Sequence, residues 1–279
     1  MSTQGIAQAP PVRVRARIPA PVDRVWAALA EPGRLACWFG AVEAPWKPGG
    51  TGRITFGDGD FFAVTVLRVE PRRLIELDWS FLGVGPVQRV RWLLHADDHG
   101  TDVVMEDHDP ARRPAETQQM VAGWTDFIGR LAGYVRTGAA TRYAWREEID
   151  GSVDLPGHWR PLELAQLYRW LPIASDGFTP RWFFVVDADG PRRFAIEKWR
   201  LVENHRVTYW VEIPEATART LAEIVVTPQP DGQRLRFTHL GWRDLGLPDQ
   251  RARTLRCRFA DAWTAAIAQA RQLAAGGGD

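Results

Sequence analysis

From Val12 to Ile18 apolar residues alternate with Arg13, Arg15 and Arg17, the two-residue period of a strand with one dry face. A short helix follows, with Val25, Trp26 and Leu29 on its apolar face, Asp23 as cap or first-turn acid, and Glu31-Pro32-Gly33 as its breaker. A second short helix carries Leu35, Trp38 and Phe39, and residues 45–52 read as a turn-rich connection. Alternation then resumes. Residues 61–69 form a strand. Ile75, Leu77, Trp79 and Phe81 share one face of the next, and Val90, Trp92 and Leu94 oppose Arg89 and Arg91 on a third. Asp98-His99-Gly100 turns the chain into a strand with Val103, Met105 and Asp107 on the inner face. Over 115–136 the period changes: Met120, Trp124, Phe127, Ile128, Leu131 and Val135 recur at three-four spacing, a broad helical stripe that Gly138 ends.

The pattern then repeats. Gly100 and Gly232 both close a hairpin before a strand, which sets an offset of 132 residues. At that offset Ile75, Leu77, Trp79 and Phe81 land on Val207, Tyr209, Val211 and Ile213. Val90, Trp92 and Leu94 land on Ala222, Ile224 and Val226, and Leu35 and Trp38 on Leu167 and Trp170. A slip of one residue would exchange the faces, so the agreement marks a common architecture. Near the end the offset drifts. Trp124-Thr125 matches Trp263-Thr264 with seven more residues, which the loop 244–250 accommodates. The chain therefore reads as an α+β protein of two tandem domains, 11–138 and 139–279, after a disordered tail over 1–10, with a linker near 137–141. Each domain has a strand, two short helices, six strands and a long helix.

Composition adds exclusions. The 35 basic and 34 acidic residues leave a net charge of +1, which gives no electrostatic case for nucleic acid. Arg13, Arg15 and Arg17 fit a solvated strand face. Without a run of about 18 apolar residues or a signal-like N-terminus, a cytoplasmic chain with no membrane insertion is expected. Two cysteines, one in each half, read as reduced structural thiols, and no metal-type spacing occurs. The unusual number is 14 tryptophans, enough to fill large cores or to line something flat and apolar.

Ile18-Pro19-Ala20-Pro21-Val22-Asp23-Arg24-Val25-Trp26, Leu35-Ala36-Cys37-Trp38-Phe39, Val69-Glu70-Pro71, Gly100-Thr101 and Gly123-Trp124 together resemble the START-like, helix-grip (SRPBCC) superfamily, in the branch related to activators of the heat-shock chaperone ATPase. The second half departs from it: Val202-Glu203-Asn204 lacks the proline and Ala262-Trp263 the glycine. The resemblance implies a curved seven-stranded antiparallel sheet gripping the last helix, with a cavity between them. Its members bind lipids, sterols, polyketides or other apolar molecules, and include carriers, cyclases, hydrolases and chaperone activators. A fold shared so widely does not choose among them.

The chain carries no GxSxG elbow, phosphate loop, HExxH or CxxC pair, and no cofactor is expected. Asp107 and His239 occupy the same inward strand position in the two copies and are the candidates for an acid or base if the protein is an enzyme. Both also suit a structural role, Asp107 at a wet strand end and His239 as a hydrogen-bonder. The expected ligand-binding set is aromatic: Trp79, Phe81, Trp92, Met105, Trp124 and Phe127 in the first domain, and Tyr209, Phe237, Phe259 and Trp263 in the second. The leading expectation is sequestration of an apolar, polycyclic natural product. The superfamily branch includes enediyne self-resistance proteins of actinomycetes, which offer a backbone glycine Cα–H to the drug diradical and are cleaved there. Gly83, Gly85, Gly123 and Gly241 stand beside candidate cavity aromatics, although turns require glycines too. A polyketide cyclase using Asp107 or His239, and a protein-binding chaperone cofactor, are the alternatives.

Overall fold

A computed structural model describes residues 11–43, 45–109, 112, 114–142, 145–187 and 190–276; the expected tail 1–10 lies outside them. The chain divides into two units. The second begins at Trp145 and also takes in Gly57–Asp60 and Val84–Pro86; the rest belongs to the first.

In the first unit β1 (Val12–Ile18) is followed by helices α1 (Val22–Ala30) and α2 (Pro32–Leu35), then by β2 (Ala41–Val42), β3 (Thr51–Thr55), β4 (Phe61–Glu70), β5 (Leu74–Phe81), β6 (Val87–Asp97) and β7 (Gly100–His108), and by helix α3 (Pro114–Thr137). The antiparallel sheet has the order β1-β7-β6-β5-β4-β3-β2, so the first and last strands pair. Pro32 ends α1: the residue before a proline is driven from helical geometry, and Glu31 sits at φ −86°, ψ 120°. Asp23 makes no cap hydrogen bond; it lies in the first turn and pairs with Arg72. Two indoles instead serve the other end of α1, Trp38 Nε1 donating to the Ala28 carbonyl and Trp46 Nε1 to that of Leu29, each at 2.9 Å. Helix-end carbonyls lack intrahelical partners, so these bonds both satisfy them and fix the helix on the sheet. At the far end of α3, Gly138, at φ 73°, donates its N–H to the Tyr134 carbonyl. Arg13, Arg15 and Arg17 lie on the wet face, paired with Glu106, Asp102 and Asp97.

The second unit runs β8 (Ile149–Leu155), α4 (Leu164–Trp170), β9 (Ile173–Ala174), β10 (Trp182–Asp187), β11 (Gly190–Val202), β12 (Arg206–Glu212), β13 (Arg219–Gln229), β14 (Gly232–Leu240) and α5 (Asp249–Gly276). Its sheet order, β8-β14-β13-β12-β11-β10-β9, repeats the first. The registers also repeat at the offset of 132. Ile75 faces Trp92 and Trp92 faces Met105; Val207 faces Ile224 and Ile224 faces Phe237. Even the irregularity in β4 at Val66/Arg68 recurs in β11 at Glu197/Arg200.

Three details depart from the sequence reading. Trp38 and Phe39, expected on the second helix, follow its last residue, Leu35, in a turn. Only one helix, α4, lies between β8 and β9 among the described residues, where two were expected. The stretch from the first strand to the matched leucine shortens from Ile18–Leu35 to Leu155–Leu167, which leaves no room for a nine-residue α1. Trp170, the counterpart of Trp38, accordingly donates to the carbonyl of Pro161 in the turn that replaces that helix. The seven extra residues near the end do not all fall in the loop. Three lengthen the connection from β14 to α5, and four extend the start of α5 by about one turn relative to α3.

The two hairpin glycines share one cause. A Cβ on Gly100 would overlap the Ile18 carbonyl oxygen, and one on Gly232 that of Leu155, the last residues of the two strands that close each sheet. Gly100→Ala and Gly232→Ala should each cost about 1–3 kcal/mol through forced backbone displacement. Gly129→Ala, on an open face of α3, should gain about 0.5–1 kcal/mol. Thermal unfolding of the three variants checks the ranking.

Candidate functional site: two aromatic interiors

In the first unit the inward side chains meet as a ladder of rings. Phe62 stacks on Trp79 at 4.1 Å between centroids, and Trp79 on Trp124 at 5.3 Å, with planes 13° and 9° apart. Phe39 lies nearly parallel to both indoles, and Phe127 meets Phe39 edge-on at 4.7 Å. Trp92 sets its edge against Trp124. Met105 is buried in the same core. Phe81 is only half-buried and touches the ladder through Phe62. The geometry thus adds Phe39 and Phe62 to the residues that sequence singled out. The pattern hinted at both: Phe39 adjoins Trp38 in the turn that follows α2, and Phe62 lies on the strand that pairs with that of Trp79.

A cavity was expected here, and beside the ladder the rings leave little free space. The void beside Trp38, Phe39, Trp79 and Trp92 measures about 10 Å³, hardly space for one water. Strand alternation places the residues inward, but it says nothing of whether their volumes fill the space. A larger hollow of about 660 Å³ lies on the opposite, polar face, where Thr51, Arg53, Thr65, Asp78 and Ser80 alternate with the core positions of β3, β4 and β5.

Asp107 points inward, as the strand phase requires, and is fully buried instead of wet. Its Oδ2 accepts from Trp124 Nε1 at 2.8 Å and its Oδ1 from the Arg112 guanidinium at 2.6 Å. Arg112 also donates to the Asp107 carbonyl at 3.0 Å. One carboxylate therefore clamps β7, the loop before α3, and α3 itself. A charge-assisted bond from the buried guanidinium occupies one carboxylate oxygen and the indole N–H the other, the two atoms that a proton-transfer role would need free.

The second interior has the same device in different chemistry. His239 faces Ala222 as Asp107 faces Val90, and Trp263 takes the place of Trp124. Trp263 Nε1, which can only donate, lies 3.0 Å from His239 Nδ1; that nitrogen is therefore the unprotonated acceptor. Nε2 then carries the proton and donates to Thr220 Oγ1 at 2.8 Å. The ring is enclosed by Trp242, Phe259 and Trp263, and burial, aided by the Arg256 cation, pushes its pKa down to about 3. His239 is thus neutral at physiological pH and committed at both nitrogens. Around it Phe237 stacks on Trp263 at 4.4 Å, and Phe183 stacks on Phe259 at 5.3 Å. Tyr209 is equally buried and packs against Phe183 and Trp199. Among the described residues no group of acidic, histidine or cysteine side chains has the grouping to hold a metal ion, and no helix is long and apolar enough to cross a membrane.

The family model for "Activator of Hsp90 ATPase homolog 1-like protein" matches residues 19–136. DynU16, a protein of the dynemicin biosynthetic locus, is 48% identical, with a TM-score of 0.92; the match covers 95% of this chain and 99% of that one. The chain belongs to the START-like, helix-grip family. MLL2253 from Mesorhizobium loti is 24% identical over 46% of this chain and 98% of its own, with a TM-score of 0.42. CalU16 from Micromonospora echinospora is 26% identical over 44% of this chain and 73% of its own, with a TM-score of 0.39. No curated protein matches the chain. The helix-grip assignment accounts for the paired first and last strands and the long terminal helix of each unit. The tandem layout is shared with DynU16 over nearly the full length of both chains.

Proposed function

We propose that this helix-grip protein binds an apolar, polycyclic small molecule among its aromatic rings and sequesters it, serving self-resistance to an enediyne-type antibiotic. The observation that carries the reading is the nearly full-length similarity to DynU16, a protein of the dynemicin locus. The interiors support it. Stacked indole and phenyl rings offer flat apolar surface, and a planar guest would enter by taking the place of one ring in the ladder. The same geometry disfavours the cyclase alternative at Asp107 and His239, because each is fully buried and bonded to an indole N–H and to a second group.

Titrating polycyclic polyketides and enediynes into the intact chain, followed by tryptophan fluorescence and then by mass spectrometry, tests the proposal. Saturable quenching by one class is the expected result, and a cleavage product at a glycine would extend sequestration to self-sacrifice. Absence of quenching across the panel would overturn the reading, and saturable binding to a chaperone would replace it with the cofactor alternative.

A further inference from the structure

Tyr209 lies on β12 with no solvent exposure, and its hydroxyl has no hydrogen-bond partner among the described residues. Burial raises its pKa well above the ordinary 10, so the group is a neutral phenol with a proton to give. A buried hydroxyl without a partner forfeits the hydrogen bonds it had in water. Such a cost is retained where something else is gained.

Directly across the ladder from Tyr209 is the irregularity in β11. Glu197 pairs with Trp210 and Arg200 with Thr208, so Lys198 and Trp199 together oppose Tyr209. Plain alternation from Phe194 and Ile196 would turn Lys198 inward. Instead Lys198 adopts a left-handed φ of 51°, uncommon for a residue with a Cβ, and its ammonium sits over the Trp210 ring at 5.5 Å. The bulge thereby turns Trp199 inward, where it stacks on Tyr209 at 5.3 Å with planes 25° apart. Trp199 is itself only half-buried. A half-buried ring turned inward by a strained bulge thus covers a phenol without a partner. In the first unit the corresponding positions are Leu67 and Leu77, which have no such chemistry.

We propose that Tyr209 and Trp199 form a binding site in the second unit for a planar polycyclic aromatic molecule bearing a carbonyl oxygen. The Tyr209 hydroxyl donates to that oxygen, and Trp199 is the movable cover whose place on the phenol the ligand takes. The inference rests on the sequestration reading above and deepens it: it names the unit, the donor and the polar group the guest carries.

The test uses the intact chain and a matched pair of probes, 9-fluorenone and fluorene, which differ in the ketone. Equilibrium dialysis should show fluorenone bound about tenfold more tightly than fluorene, the worth of one good hydrogen bond. Tyr209→Phe should abolish that preference, so that the variant binds fluorenone and fluorene alike. The same variant should melt about 2–4 °C higher, because it deletes a buried polar atom without a partner. Trp199→Leu should keep the preference and speed association in stopped-flow. Equal binding of the two probes by the native chain, or a preference that survives in Tyr209→Phe, would overturn the donor; association unchanged in Trp199→Leu would overturn the cover. A lower melting temperature for Tyr209→Phe would assign the hydroxyl to holding the fold, also overturning the site. If neither probe binds but a member of the wider polyketide and enediyne panel does, the carbonyl-aromatic site falls and sequestration stands; if the panel is silent as well, both fall.

Discussion

Asp107→Ala should destabilise the first unit by on the order of 3–5 kcal/mol, because two groups lose their partner at once. The Arg112 guanidinium stays buried without a counter-charge, the Trp124 N–H loses its acceptor, and the anchor between β7 and α3 is gone. The carboxylate itself is almost entirely shielded, so solvent screening does little to soften the loss. Removing both charges should cost much less. Asp107→Leu combined with Arg112→Met replaces a buried ion pair by apolar volume, and such exchanges are often near neutral. Urea unfolding with hydrogen exchange resolved by unit checks the prediction, since a two-unit chain need not unfold in one step. A single variant that unfolds at the native midpoint would show that the clamp contributes nothing. A double variant as damaged as the single would show that the indole bond, not the ion pair, dominates.

That clamp also shows where sequence reasoning reached and where it stopped. The strand phase set by Val103 and Met105 placed Asp107 inward, and the offset of 132 put His239 at the matching point; both hold in the register of the two sheets. Alternation succeeds here because a slipped register would bury charge and expose the core along an entire strand. The partners were harder to see. Arg112 lies in a connection without periodicity, so nothing in the pattern tied it to Asp107. Trp124 and Trp263 were legible as core residues, but their N–H groups as donors to those strand positions were not. The bulge in β11 was invisible for a related reason. It breaks the period on which the reading depends, and so concealed that Trp199, not Lys198, faces inward. How tightly the rings of the first unit pack was not legible either, because pattern assigns faces while packing depends on volumes.

His239 should make the second unit acid-sensitive, in a window fixed by its depressed pKa. Above about pH 6.5 the imidazole is neutral in both folded and unfolded chains, and the full stability is present. Below that the unfolded chain takes up a proton that the folded chain refuses, so stability falls with pH until the folded pKa of about 3 is reached. Each pH unit in that window removes about 1.4 kcal/mol, and the whole descent amounts to on the order of 5 kcal/mol. Burial is the main cause, with the Arg256 cation second, and the ring has no solvent access to relieve it. His239→Gln isolates the effect. Its amide oxygen can accept from Trp263 and its amide nitrogen can donate to Thr220, so both bonds have a replacement while the titration is lost. The variant should start somewhat less stable at pH 7.5 and lose less on acidification, the two curves converging toward pH 3. Other ionisable groups contribute alike to both proteins and cancel in the difference. Urea midpoints between pH 8 and pH 3.5 supply the comparison. Parallel curves would mean that His239 takes up its proton without opening the fold, and the neutral imidazole held between Trp263 and Thr220 would then be the wrong description of that core.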